Sequence, residues 1–332
     1  MKITMIGGGS WGATLSQLLT DNGNEVLIYD INKDFVEKIN KTHEHPFFPG
    51  KVLPCTIKAT NVLKEAVDFS DILVMAVPTK FVRVESLREI NKLLTSKKLF
   101  INVAKGIEPE TLKRVSEIVK EEIEKEYYGG FVCVTGPSHA EELIDRKLTV
   151  LVSASDDALL AKKVQVIFNN DKYLRVYTST DLIGCEIGGA IKNAIAVVSG
   201  VSTGLGLGEN ARAALISRGV LEIVQIVVAM GGKKETAFGL TGIGDLIVTA
   251  SSENSRNFQA GKKIGLGGEV NDVVSHSVQT VEGVRTVKAA YEIGKKFNLD
   301  LPIINVAYEV LYNGLDAREA ISMLLSRTLK ME

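Results

Sequence analysis

The chain has 332 residues, 45% of them apolar, with 39 basic and 40 acidic side chains and a formal net charge of -1. Length and apolar content predict a soluble globular protein of about two domains of roughly 150 residues each, and the balanced charge provides no global field for nucleic acid or an anionic membrane surface. Cys55, Cys133 and Cys185 are too few and too irregularly spaced for a disulfide or zinc framework, which predicts reduced thiols in a cytoplasmic setting, and no signal peptide precedes the first strand.

The first predicted strand, Lys2-Ile3-Thr4-Met5-Ile6, runs directly into Gly7-Gly8-Gly9-Ser10-Trp11-Gly12, and a helical pattern follows from Ala13 to Leu19. Strand, G-x-G-x-x-G and helix in that order predict a dinucleotide-binding turn. Gly7 would allow the tight turn, Gly9 would admit a pyrophosphate to the backbone, and Gly12 would let helix and strand pack closely. Phosphates would then sit at the positive end of a helix. A second strand, Glu25-Val26-Leu27-Ile28-Tyr29, ends in Asp30, where a carboxylate suits a ribose 2'-hydroxyl and repels a 2'-phosphate.

Asn40 to Cys55, with three prolines and with His43 and His45, reads as an irregular solvated loop, since no third residue completes a metal-ligand spacing. No metal is expected. Three short apolar runs follow, Ile72–Val77, Leu99–Ala104 and Phe131–Thr135, and helical segments separate them. They predict buried parallel strands of a doubly wound sheet, whose ligands bind beyond the strands' carboxyl ends. Those ends carry Pro78, Lys105-Gly106 and Gly136-Pro137-Ser138. Leu148–Ser153 and Tyr173–Tyr177 would extend the sheet. From Thr180 the pattern is helical, so the boundary is placed near Thr178: a Rossmann-like α/β domain over 1–178, then an all-α domain over 179–332. Glycine-rich turns are expected at Gly204–Gly208, Gly239–Gly244 and Gly265–Gly268. The apolar run from Ile191 to Val201 contains Lys192 and Asn193, which predicts a buried core helix and not a membrane span.

Within that run, Gly188-Gly189-Ala190-Ile191-Lys192-Asn193 surrounds one lysine with small and apolar neighbours. Burial would draw its pKa down toward neutrality and suit it to donate a proton, unless its head snorkels to solvent. Lys105 follows a strand at the ligand-binding edge, and Gly136 and Ser138 offer an N–H and a hydroxyl at the next strand end. Gly242-Ile243-Gly244-Asp245 reads as a tight turn delivering a carboxylate, or a simple helix cap. Ser255-Arg256-Asn257 supplies an arginine able to grip a phosphate through parallel hydrogen bonds.

Taken in order, Gly7–Gly12, Ala104-Lys105-Gly106, Thr135–Ala140, Gly188–Asn193, Gly242–Leu246, Asn254–Asn257 and Val281-Glu282-Gly283 resemble the bacterial NAD(P)-dependent glycerol-3-phosphate dehydrogenases over nearly the whole chain. The resemblance implies an enzyme that interconverts dihydroxyacetone phosphate and sn-glycerol 3-phosphate for glycerophospholipid synthesis, with NAD or NADP as cofactor. It implies Lys192 as the catalytic acid/base, and Lys105, Gly136, Ser138, Asp245, Ser255, Arg256 and Asn257 around the substrate. Ser10, Trp11, Lys105, Ala140, Arg256, Thr280 and Glu282 would contact the cofactor. Asp30-Ile31 departs from the small residue followed by Arg or His that is usual in this family, which predicts that NADH is accepted at least as well as NADPH. Two other readings stay open: a 2-hydroxy-acid or ketopantoate-type reductase, which needs no phosphate loop, and a non-catalytic dinucleotide sensor, which has no use for a buried lysine. Oligomeric state is left open, with a homodimer among the options.

Overall fold

The computed structural model describes residues 1–275 and 281–328. Short runs of aliphatic and β-branched residues form eight strands: β1 (Lys2–Ile6), β2 (Glu25–Tyr29), β3 (Lys58–Thr60), β4 (Ile72–Met75), β5 (Lys98–Asn102), β6 (Tyr128–Thr135), β7 (Thr149–Ala154) and β8 (Leu174–Ser179). They make one sheet in the order β3-β2-β1-β4-β5-β6-β7-β8. Both β4 and β5 are buried along their whole length; β4 is apolar throughout, and β5 carries the apolar run Leu99–Ile101 between a buried Lys98 and a buried Asn102.

The strand order changes direction at β1, where Ile6 lies opposite Tyr29 on one side and Met75 on the other. The carboxyl ends of these central strands therefore line up, and the Gly7–Gly12 turn leaves the sheet at its topological switch point. One pair departs from the parallel expectation. β6 is parallel to β5 but antiparallel to β7, because the connection from β6 to β7 contains only a four-residue helix, α6 (Ala140–Leu143), too little for the usual crossover. The other helices of this part are α1 (Ser10–Asp21), α2 (Lys33–Thr42), α3 (Leu63–Phe69), α4 (Glu89–Asn91), α5 (Val115–Glu122) and α7 (Ala158–Phe168).

The segment after α2 is irregular as expected, but His45 is not solvated. It is 1% exposed, with its ring packed among Phe35, Phe47 and Phe48. Phe35 of α2 and Phe47 and Phe48 of the segment itself bury the imidazole, an effect that the loop's proline content concealed.

The chain divides into two compact units, one made of Met1–Lys105 and Lys113–Leu182, the other of Gly106–Leu112 and the chain from Ile183 onward. The second unit is helical: α8 (Leu182–Gly204), α9 (Gly208–Ala229), α10 (Lys234–Ala237), α11 (Asp245–Ser251), α12 (Arg256–Gly265), α13 (Val270–Ser275), α14 (Glu282–Phe297), α15 (Pro302–Tyr312) and α16 (Ala317–Leu325). Long and apolar enough to cross a bilayer by length and composition, α8 is nevertheless 89% buried within the protein over its most apolar 18-residue window. It is a core helix. Against it α12 packs backbone to backbone: a Cβ at Gly200 would lie 2.1 Å from the Phe258 oxygen, and one at Gly261 would lie 2.0 Å from the Val197 oxygen. Glycines four apart on both helices, Gly200 and Gly204 facing Gly261 and Gly265, thus hold α12 along its length beside α8.

Candidate active site

In the first unit, Gly7 has φ +105° and no room for a side chain, since a Cβ would lie 2.9 Å from the Ala76 oxygen. A Cβ at Gly12 would lie 2.0 Å from the Gly7 oxygen, so the first turn of α1 presses directly on the strand end. Gly9 is different: its Cβ would meet nothing within 4 Å. It is also the residue preceding α1, and no side chain caps that helix end. A tight turn, an open face at Gly9 and uncapped helix amides are the cradle that a pyrophosphate requires. Ser10 is buried as the first residue of α1, and Trp11 packs in part on the core. Ala140 opens α6, and its carbonyl lies 3.5 Å from the Thr14 hydroxyl.

Asp30, just past β2, accepts the Gly8 N–H at 2.7 Å through one carboxylate oxygen and the Asn32 N–H at 2.8 Å through the other. Each oxygen has a second lone pair available for a further donor. A second group lies at the ends of β5 and β6. There the Lys105 ammonium donates to the Gly136 carbonyl at 2.9 Å and lies 3.5 Å from the Ser138 hydroxyl, which itself donates to Gly136 at 2.9 Å. Residues expected at two different strand ends, Lys105 at one and Gly136 and Ser138 at the next, therefore form one polar cluster.

In the second unit the lysine of α8 does not snorkel. Lys192 is 4% exposed, and its ammonium donates to Asp245 Oδ1 at 3.0 Å and to the Thr249 hydroxyl at 2.5 Å. Asp245, 1% exposed, opens α11 after a π-helical stretch, Leu240–Gly244, where a plain tight turn was expected. The wider winding lets Gly242 reach the backbone of Ala237, which a Cβ would strike at 1.9 Å. Asp245 and Thr249 stand four residues apart on one helix face and hold the lysine together. The sequence offered Asp245 as a carboxylate near the substrate but not as the partner of Lys192, whose ammonium it compensates inside the core.

The next residue of α8 continues the site. Asn193 accepts from the Asn257 side chain at 3.0 Å, and Asn257 in turn accepts the Gly283 N–H at 2.9 Å, beside Glu282 at the start of α14. Ser255 caps α12 by accepting the Phe258 N–H, and Arg256 follows on the exposed side, in a cleft shared with Glu253, Asn254 and Lys263. Thr280 lies outside the described residues. Thr249 and Asn193 were given no role from the sequence, and His45 was weighed only with His43 as an incomplete metal-ligand pair. Thr249 had a legible signal, its four-residue spacing from Asp245, whereas the other two act through partners distant in sequence. No group of three or more potential metal ligands occurs among the described residues.

Residues 2–161 match the family described as NAD-dependent glycerol-3-phosphate dehydrogenase N-terminus, and residues 181–322 match the corresponding C-terminus. The chain belongs to the NAD-dependent glycerol-3-phosphate dehydrogenase family. Its similarity to glycerol-3-phosphate dehydrogenase [NAD(P)+] of Acholeplasma laidlawii is 63% identity, covering 100% of this chain and 99% of the relative. The enzyme of that name from Bacillus subtilis is 45% identical, covering 98% and 94%. Among solved structures, glycerol-3-phosphate dehydrogenase from Coxiella burnetii superposes with a TM-score of 0.92 at 29% identity, covering 98% of this chain and 99% of that one. Glycerol-3-phosphate dehydrogenase family membership thus extends over both units, and these relatives support the glycerol-3-phosphate dehydrogenase reading over the 2-hydroxy-acid or ketopantoate-type reductase and the sensor.

Proposed function

We propose that this chain interconverts dihydroxyacetone phosphate and sn-glycerol 3-phosphate with NAD(H) or NADP(H). The observation that carries the reading is the buried, ion-paired Lys192, a proton-bearing group that a structural core has no need of and a ketone reduction does. When bound, the nicotinamide supplies the hydride in one direction and takes it up in the other. Gly7, Gly9 and Gly12 with the start of α1 would hold its pyrophosphate, and Asp30 a ribose. Ser10, Trp11, Lys105, Ala140, Arg256, Thr280 and Glu282 are the further cofactor contacts of this reading.

Lys192 holds a proton on Nζ and gives it to the oxygen that becomes the new hydroxyl, then recovers it from that hydroxyl in reverse. Asp245 and Thr249 fix where Nζ points, which is the orientation that proton transfer requires. Arg256, Asn257 and Ser255 are assigned to the phosphate, whose two charges favour an arginine fork over a lone lysine. Lys105, Gly136 and Ser138 complete the substrate contacts.

The test follows oxidation of NADH and of NADPH with dihydroxyacetone phosphate, in the wild type and in Lys192→Ala. The wild type should turn over, and the variant should lose about 10²- to 10⁴-fold in kcat while still binding cofactor. A variant that keeps more than about half of the wild-type turnover, against that range, removes Lys192 from the acid's role. A wild type that reduces ketopantoate and not dihydroxyacetone phosphate overturns the whole reading.

A further inference from the structure

Among the described residues, His45 is the one buried imidazole that the chemistry above does not use. Its Nε2 lies 2.6 Å from the Gly8 carbonyl oxygen, and its Nδ1 accepts the Phe47 N–H at 3.2 Å. Only the neutral tautomer with its proton on Nε2 satisfies both contacts. Burial holds its pKa below the ordinary histidine value, Asp30 and the Gly8 bond pull it up and Lys38 pulls it down, so the ring is neutral at neutral pH. Phe35, Phe47 and Phe48 surround it, with ring centroids 5.4 to 5.6 Å away, and leave it little freedom to rotate.

Gly8 is thus gripped from both ends. Asp30 takes the N–H of the Gly7–Gly8 peptide at 2.7 Å, and His45 takes the carbonyl of the Gly8–Gly9 peptide at 2.6 Å. Because a trans peptide is planar, its carbonyl and the next N–H point in opposite directions. Drawing the Gly8 oxygen toward His45 therefore aims the Gly9 N–H away from the aromatic cluster. Three successive glycines have more backbone freedom than any other tripeptide, and an amide that must meet an anion gains from having that freedom removed beforehand.

We infer that His45 is a positioning residue for the cofactor: by clamping the Gly8 carbonyl it sets the Gly8–Gly9 peptide in the orientation that receives the dinucleotide pyrophosphate. This rests on the cofactor reading above. It assigns to the irregular segment after α2 a part in ligand binding exerted wholly through the glycine turn.

Trp11, the only tryptophan in the sequence, lies within that turn and reports on it directly. Its emission, titrated with NADH, gives Kd for the wild type, for His45→Leu and for His45→Gln, whose amide nitrogen matches the reach of Nε2. Loss of one hydrogen bond to the turn should raise Kd about tenfold in His45→Leu, with kcat at saturating NADH within about twofold of wild type, and His45→Gln should recover most of the loss. Hydrogen exchange over residues 7–13 without cofactor should speed up in His45→Leu and return in His45→Gln. Equal losses of NADH affinity in both variants, or none in either, overturn the clamp, whereas a wild type that binds neither NADH nor NADPH overturns the cofactor reading itself. Should His45→Leu not fold, long-range ¹H–¹⁵N NMR of the wild-type imidazole decides: an Nε2–H proton retained in the NADH complex supports the clamp, and an Nδ1–H tautomer, which has nothing to donate to Gly8, overturns it.

Discussion

At the scale of single residues, the side chains assigned to chemistry are held by neighbours that carry no chemistry themselves. Asp30 shows how this affects specificity. Its oxygens already fix the Gly8 and Asn32 amides, so the carboxylate cannot swing away from an incoming ribose without releasing the turn. Two ribose hydroxyls can donate to its remaining lone pairs, whereas a 2'-phosphate would meet a like charge at close range. We therefore expect kcat/KM with NADH at least equal to that with NADPH, and expect Asp30→Gly to move the ratio toward NADPH. A wild-type preference for NADPH above about tenfold, or about 1.4 kcal/mol, sinks this, and an unchanged ratio in the variant shows that the carboxylate does not set it. The departure at Asp30-Ile31 was legible because one carboxylate at a strand end has a direct chemical consequence. His45 was not, since nothing in its own stretch names Gly8 as its partner.

At the scale of elements, whatever followed local periodicity was legible and whatever depended on packing between elements was not. The strand runs and the long apolar α8 were visible in the pattern of side chains. The antiparallel turn of β7, the π-helical winding before Asp245 and the glycine seam between α8 and α12 were not, because each is decided by what lies opposite. Gly265 was read as part of a turn, and it is the last residue of α12, pressed on Val201 of α8. A further hidden pairing joins α9 to α15. Glu222, buried on α9, accepts the Ile303 and Ile304 amides at 2.7 and 3.0 Å and so satisfies the first turn of α15 behind Pro302. Burial pushes its pKa from 4.5 up to about 7, with Asp300 adding to the rise, while the two amides and Arg327 oppose it. A carboxyl whose folded pKa is raised stabilises fully below the unfolded value and loses that contribution as pH rises through the folded one. The stability of the wild type relative to Glu222→Gln should therefore fall by about 3 kcal/mol between about pH 5 and about pH 8. Denaturant melts of both proteins across that range measure it. A difference that stays constant with pH means that Glu222 does not titrate there.

At the scale of the whole molecule, charge decides how a phosphate-bearing substrate is attracted. With 39 basic and 40 acidic side chains, the molecule has no net field to draw an anion in. Attraction must come from the few cations of the site itself, which is why the bulk composition excluded nucleic acid yet said nothing about a small phosphate. Arg256 is the exposed member of that set, and exposed charges are screened over about 8 Å at physiological salt, whereas the enclosed Lys192–Asp245 pair is screened far less. Two consequences follow for kinetics. Added salt should raise KM for dihydroxyacetone phosphate while leaving kcat nearly unchanged, because the group assigned to the proton is shielded from ions and the group assigned to the phosphate is not. Arg256→Ala should raise that KM by roughly tenfold or more, given about 1.5 to 3 kcal/mol for a hydrogen bond to a charged partner, and should flatten its dependence on salt. Unphosphorylated dihydroxyacetone, expected to be a poor substrate of both proteins, provides the control, because it lacks the group that Arg256 is assigned to hold. Initial-rate measurements with both substrates over a salt series test the assignment. Equal losses for the two substrates, or a salt slope as steep in Arg256→Ala as in the wild type, would place the phosphate on other residues.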